Sequence, residues 1–244
     1  YHVRSIVLIP ARLESTRLSK KLLRELNGIP LVVRTAQNIT DFKIFDEVHV
    51  ITDSIDIKNI LDKYSISNFL SEKDHQTGTD RVAEYANNFD CDIIINVQGD
   101  EPFIKKQNLQ IILSEFENDN NKIIDVISLK KRIDKQIDVD NHNNVKVVTD
   151  ANDFANFFSR SPIPHNRSNS FNQYYKHIGV YAFRKKALME FPKMFISEIE
   201  KAEKIEALRF IYNDKKIKLL EIHNNIISID TEEDFIEAEK FIHD

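Results

Sequence analysis

At 244 residues, with 41% hydrophobic and 30% charged residues, the chain is long enough to bury one sizeable core and too apolar for a disordered polymer. A formal net charge of −5 argues against a general nucleic-acid footprint, and no apolar stretch approaches the roughly 20 residues that cross a bilayer. The single cysteine, Cys91, has no internal disulfide partner; with no signal-peptide core in the first four residues, the expectation is a cytoplasmic protein in a reducing compartment.

Taken in order, residues 6–9 (IVLI) form a branched apolar run that stops at Pro10, the pattern of a strand buried on both faces. Arg12, Ser15, Thr16, Arg17, Lys20 and Lys21 follow at once. Such a cluster puts cations and donors at the carboxyl end of a strand, where open α/β sheets bind ligands, and it suits a polyphosphate. A solvated basic loop is the plainer alternative. Asn27-Gly28 marks a turn, and Pro30 opens a helix to about residue 39. Residues 47–52 read as a second strand and 55–64 as a helix capped by Asp53 or Ser54. A short strand at 68–70, a polar loop to Thr77 and a helix over 79–88 come next. The order strand–helix–strand–helix predicts right-handed crossovers and a parallel sheet.

Residues 92–97 (DIIINV) are the second strongly apolar run, and they too end in polar residues: Gln98, Gly99, Asp100 and Glu101. If the two buried strands are neighbours, the basic loop and the acidic turn face one crevice. Beyond them the pattern predicts a helix over 109–118 and a strand over 124–131. A mobile Asp/Asn-rich loop over 134–144 and short strands at 145–149 and 156–160 follow. Next come a flexible stretch at 165–174, a strand over 175–184 and a helix from 185 closed by Pro192. One long helix over 197–212, a strand over 217–222 and a terminal helix over 231–243 complete the chain. Thr231 and Asp234 make a capping box for the last helix.

Several strings recur together. They are Ile9-Pro10-Ala11-Arg12 with Ser15-Thr16-Arg17-Leu18 and Lys21, Gly78-Thr79-Asp80-Arg81, and Asn96-Val97-Gln98-Gly99-Asp100-Glu101-Pro102. Further on stand Val145-Lys146-Val147-Val148, Phe158-Ser159-Arg160-Ser161-Pro162-Ile163-Pro164, His177-Ile178-Gly179-Val180-Tyr181, and Asp230-Thr231-Glu232-Glu233-Asp234. In this order they resemble the sugar cytidylyltransferases, in detail those acting on 3-deoxy-D-manno-octulosonate (Kdo) for lipopolysaccharide synthesis. The resemblance implies a single Rossmann-like α/β domain over residues 1–244, with a mostly parallel sheet flanked by helices. Residues 145–185 would form a smaller β-rich region for the substrate edge and dimerisation.

It also implies a reaction, CTP plus Kdo giving CMP-Kdo and pyrophosphate, and a homodimer that binds neither nucleic acid nor membrane. Arg12, Arg17, Lys21 and Asp100 are the implied catalytic set. Ala11, Arg12, Ser15, Lys21, Thr77, Gly78 and Thr79 would hold the nucleotide. Gln98, Arg160, His177, Tyr181 and Glu206 would meet the sugar, and Asp100 with Asp230 would carry Mg²⁺. Each has a plainer reading: Asp230 as a helix cap, Tyr181 and His177 as core, Glu206 in a solvated ion pair. Three departures stand out. Ser19-Lys20-Lys21 replaces the usual Pro-Gly-Lys, making Lys20 a second candidate for the lysine's role. Ala207 replaces a Gln, which leaves the sugar open to a related acid such as 8-amino-Kdo or a nonulosonate. Ser228-Ile229 stands where Gly-Val is usual. A catalytically idle scaffold of the same fold is the reading from another class.

Overall fold

Strand β1 (Ser5–Ala11) is buried at all seven positions and runs through Pro10 to Ala11, two residues further than the apolar run 6–9 predicts. Proline is tolerated because one neighbouring strand has ended by then. β6 (Ile93–Asn96) pairs with β1 only from Ser5 to Leu8, whereas β4 (Glu47–Thr52) continues alongside to Ala11. The computed structural model describes residues 2–13, 20–71, 73, 75 and 77–243. They fall into a discontinuous unit, His2–Gln110 with Asn225–Asp244, and an inserted unit, Ile111–Asn224.

In the discontinuous unit the strand order is β6-β1-β4-β5, all parallel, with β5 at Asn68–Leu70. Helices α1 (Leu31–Asp41), α2 (Ile55–Lys63) and α3 (Gly78–Ala86) pack on these strands. Ser54 caps α2 by accepting from Ile57 N–H. Asn27 and Gly28 both take positive φ, 51° and 75°, and so close a two-residue hairpin between β2 (Glu25–Leu26) and β3 (Ile29–Pro30). The fold is α/β with a mostly parallel sheet and flanking helices, as the strand–helix alternation predicts.

The change of unit falls within α4 (Lys106–Asn118). The inserted unit sets β7 (Val126–Arg132) between β11 (Ile217–Glu221, parallel) and β10 (Tyr175–Arg184, antiparallel). β8 (Lys146–Thr149) pairs with β10 and with β9 (Ala155–Ser159). The β-rich stretch expected at 145–185 therefore contains three strands. Two expectations fail here. The loop predicted at 134–144 contains a short helix, α5 (Gln136–Asp140). The single helix predicted over 197–212 is two, α7 (Glu198–Glu203) and α8 (Ala207–Tyr212), after α6 (Lys185–Glu190). The break sits at Lys204, left-handed at φ 52°, whose N–H bonds Glu200 O at 2.7 Å. Glu203, the last residue of α7, is tied outward at that point, its carboxylate accepting from Ser159 Oγ at 2.5 Å and Arg160 N at 2.9 Å.

Candidate active site

The carboxyl end of β1 delivers Ala11 and Arg12 to the start of α3. Thr77 caps that helix, accepting from Asp80 N at 3.1 Å while its hydroxyl donates to the Asp80 carboxylate at 2.9 Å. A side chain at Gly78 would meet the Pro10 ring at 3.7 Å, so α3 starts directly against the β1 exit. Arg12 Nη2 donates to His75 O at 3.1 Å. Ala11, Arg12, Thr77, Gly78 and Thr79 thus share one corner. Ala11 and Thr79 are buried, and the first turn of α3 offers N–H groups and partial positive charge there. Ser15 and Arg17 lie outside the described residues.

A second group forms where β6 ends. Asp100 follows Gly99, which lies close to its neighbours: a Cβ there would come within 3.3 Å of Leu22 and 3.5 Å of Pro10 O. The Gly99 carbonyl accepts from the buried Thr35 hydroxyl of α1 at 2.7 Å. Leu22 belongs to the short 3-10 turn Lys21–Leu23, so the same packing that needs glycine brings Lys21 beside Asp100. Lys21 Nζ donates to Asp100 Oδ2 at 2.6 Å and to Asp230 Oδ1 at 3.3 Å. Asp230 comes from the far end of the chain, just before α9 (Glu232–His243). Thr231 and Asp234 form the expected reciprocal cap. Arg24 pairs with Glu232 and lies 4.0 Å above the Phe235 ring, tying α9 to the Lys21 turn. Lys20 is exposed with left-handed backbone, φ 49°, so it is Lys21 that joins the carboxylates.

Glu101 is the residue that sequence reading passed over. Its Oε1 accepts from Ser228 Oγ at 2.9 Å, and its Oε2 is buried with no hydrogen-bond partner. Burial first, then the neighbouring Asp100 charge, pushes the Glu101 carboxyl up to about 8, so it keeps its proton at neutral pH. One ammonium therefore faces two aspartates and a third carboxyl that cannot afford to ionise. This excess of carboxyl over cation suits a divalent ion. Among the described residues no group of three or more His, Cys, Asp or Glu side chains forms a ready cage. Asp100 and Asp230, converging on one ammonium, fit an ion that takes one or two carboxylates and completes its shell with phosphate oxygens and water. Gln98, exposed beside them, donates to Asn96 Oδ1 at 3.3 Å.

In the inserted unit, β10 and the α7–α8 break gather the other candidates. His177 Nε2 bonds Ser128 Oγ at 2.7 Å, and the ring meets Phe158 and Tyr181 edge-on at 5.0 and 5.2 Å. Burial lowers the His177 imidazole to about 4, so it is neutral at physiological pH. Tyr181 stacks on Phe183; burial, then the charge of Glu206, raises its phenol far above the ordinary range. Glu206 precedes α8, and Ala207 after it is fully buried. Arg160 spends three donors on the carbonyls of Glu203, His142 and Lys204. It braces the break that presents Glu206 and keeps two N–H donors beyond those bonds.

The chain is similar to known proteins over nearly its whole length. A family model described as Cytidylyltransferase matches residues 6–217. A 3-deoxy-manno-octulosonate cytidylyltransferase from Christiangramia forsetii is 45% identical over 240 residues, covering 98% of this chain and 97% of the relative. The enzyme of the same name from Flavobacterium johnsoniae is 42% identical, covering 98% of each. Among solved structures, CMP:2-keto-3-deoxy-manno-octonic acid synthetase complexed with CTP superposes with a TM-score of 0.93 at 29% identity, covering 98% of both chains. A 4-diphosphocytidyl-2C-methyl-D-erythritol synthase from Anaerococcus prevotii, 16% identical with a TM-score of 0.64 and full coverage of both chains, shares the fold.

Proposed function

This chain belongs to the cytidylyltransferase family, and from that premise we infer that it is a nucleotidyltransferase passing CMP from CTP to the anomeric hydroxyl of Kdo. The hydroxyl oxygen bonds to the α-phosphorus as its proton passes to water, the bond from that phosphorus to the bridging oxygen breaks, and pyrophosphate leaves with the bridging oxygen. The observation that carries this reading is the bonding of Lys21 to both Asp100 and Asp230 at the carboxyl edge of a parallel sheet.

Charge builds on the α-phosphate and on the leaving pyrophosphate, so fixed cations and donors are what the protein must supply. We assign that work to Lys21, Arg12 and Arg17, with Ser15 and the Ala11 and Thr77–Gly78–Thr79 backbone holding the nucleotide. Asp100 and Asp230 would hold Mg²⁺, which when bound neutralises phosphate charge. Lys21, held between the same two carboxylates, would supply a fixed positive charge to the phosphates. Gln98, His177, Tyr181, Glu206 and the two remaining donors of Arg160 are assigned to the sugar acid. His177 and Tyr181 stay uncharged at neutral pH and so serve as hydrogen-bonding groups. A homodimer paired through residues 145–185, working in the cytoplasm and feeding lipopolysaccharide synthesis, completes the proposal. Among the described residues no helix is long and apolar enough to cross a membrane.

A related acidic sugar is the second reading. Ala207 stands beside Glu206 where an amide is usual in this motif, and if that amide meets a sugar hydroxyl in relatives, the preferred sugar differs here. Pyrophosphate release from CTP, measured with Mg²⁺ across Kdo, 8-amino-Kdo and a nonulosonate, tests both. The fastest turnover is expected with Kdo. Faster release with another acid transfers the assignment to it, and no release with any of them leaves only an idle scaffold.

A further inference from the structure

We propose that Ser228 and Glu101 are positioning residues, whose hydrogen bond sets the reach of Asp230 toward Asp100. The proposal rests on the assignment of those two aspartates to a divalent ion, and it concerns how this chain holds them in place.

The two carboxylates are supported unequally. Asp100 lies in the turn after β6, and the Gly99 carbonyl before it is pinned by Thr35 at 2.7 Å. Asp230 sits in residues 222–231, which carry neither strand nor helix. Behind it the Asp234 cap holds the chain, accepting from Asp230 N at 3.0 Å and Thr231 N at 2.8 Å. Ahead of it Ile229 is fully buried, which anchors depth but leaves rotation about the chain axis unset. The backbone link from Ile229 N to Asp100 O is stretched to 3.5 Å. The short polar connection is Ser228 Oγ to Glu101 Oε1, 2.9 Å and part-buried. It runs from the residue after one aspartate to the second residue before the other.

The same bond orients Glu101. Its other oxygen, Oε2, is buried without a hydrogen-bond partner, so the Ser228 hydroxyl is what holds the carboxyl in its rotamer. The bond touches neither aspartate and acts through the backbone, so its effect is expected at the lower end of the about 10–100-fold that contacts behind a metal ligand contribute. Loss of either partner frees the 222–231 coil to swing Asp230 away from its counterpart.

The test is a Mn²⁺ titration of the full chain with CTP and no sugar, the bound ion read by electron paramagnetic resonance, beside thermal melting. Ser228→Ala and Glu101→Ala are each expected to weaken Mn²⁺ about tenfold, the double variant no further, and Ser228→Thr to regain most of the loss. Melting of the Ser228 variants should stay within about 2 °C of the parent. Asp230→Asn provides the control for the underlying assignment. If Asp230→Asn weakens Mn²⁺ while Ser228→Ala does not, the positioning role is overturned and the ion assignment survives. If Asp230→Asn changes nothing, the ion lies elsewhere and the proposal goes with it. A Ser228→Ala loss that Thr does not restore, and that tracks a fall in melting temperature, also overturns it.

Discussion

The two units use charge in opposite ways. In the inserted unit several ions are closed off: Lys146 donates to three carbonyls, Arg209 grips Glu200 through three bonds, and Arg184 pairs with Asp119. In the discontinuous unit the ions at the β6 exit are left unbalanced. Lys21 faces Asp100, Asp230 and a carboxyl at Glu101 that holds its proton. Closed pairs keep the backbone in place and have nothing left to give a ligand. The open group stores unfavourable electrostatics that a ligand's charge can relieve, which is how functional sites commonly differ from structural ones.

The largest effect that can break this contrast is at Lys21. Lys21→Met is expected to cut CMP transfer about 10³-fold, measured by pyrophosphate release, with only a small change in melting temperature. Asp230 is 41% exposed and Asp100 21%, so water can take over part of the lost pairing. Glu200→Ala should do the reverse. It strands a guanidinium that is 5% exposed, costing about 3–5 kcal/mol in denaturant unfolding, while activity per folded molecule holds. If Lys21→Met unfolds the chain and Glu200→Ala does not, the contrast is wrong.

Acid and base sharpen it further. Between about 4.5, the ordinary glutamate value, and about 8, folded Glu101 holds a proton that the unfolded chain has released. Stability of the metal-free protein therefore falls as pH rises through that window, by up to about 1.4 kcal/mol per pH unit. His177 works the other way. Between about 4 and 6.5 the unfolded chain binds a proton that the folded one refuses, so stability rises with pH. Melting curves of Glu101→Gln and His177→Gln across pH 4–8 should each remove one slope. The smallest effect is at Lys20, whose left-handed backbone (φ 49°) suits glycine better. Lys20→Gly should raise stability by up to about 1 kcal/mol in a chemical melt, the relief of strain less glycine's entropy.

Much of this was legible because local pattern and tertiary role agree. The runs 6–9 and 92–97 announce buried strands, and the polar residues after them are where Arg12 and Asp100 stand. The cap at Thr231 and Asp234 is written in four residues. The break at Lys204 is not, since the apolar spacing continues across it and the cause is Glu203 bonding Ser159 and Arg160, more than 40 positions away. Glu101 was hidden for a similar reason. It reads as one more acid in a turn, and only folding shows that it is buried beside Asp100 and bound to Ser228, |i−j| = 127. The one available signal was a third carboxyl-bearing position implied by Asp100-Glu101 and Asp230 converging. The alternatives at Lys20 and Lys21 also needed coordinates, which bury one and expose the other.

Asp230 joins Lys21 and Asp100 only after the chain has laid down all of Ile111–Asn224 and returned. During translation the parallel strands carrying the first two residues emerge long before their third partner. A chain that ends anywhere in that intervening stretch lacks Asp230 and cannot assemble the three-residue group. Completion of the Lys21–Asp100–Asp230 group is in this way left to the last segment of the polypeptide to be made.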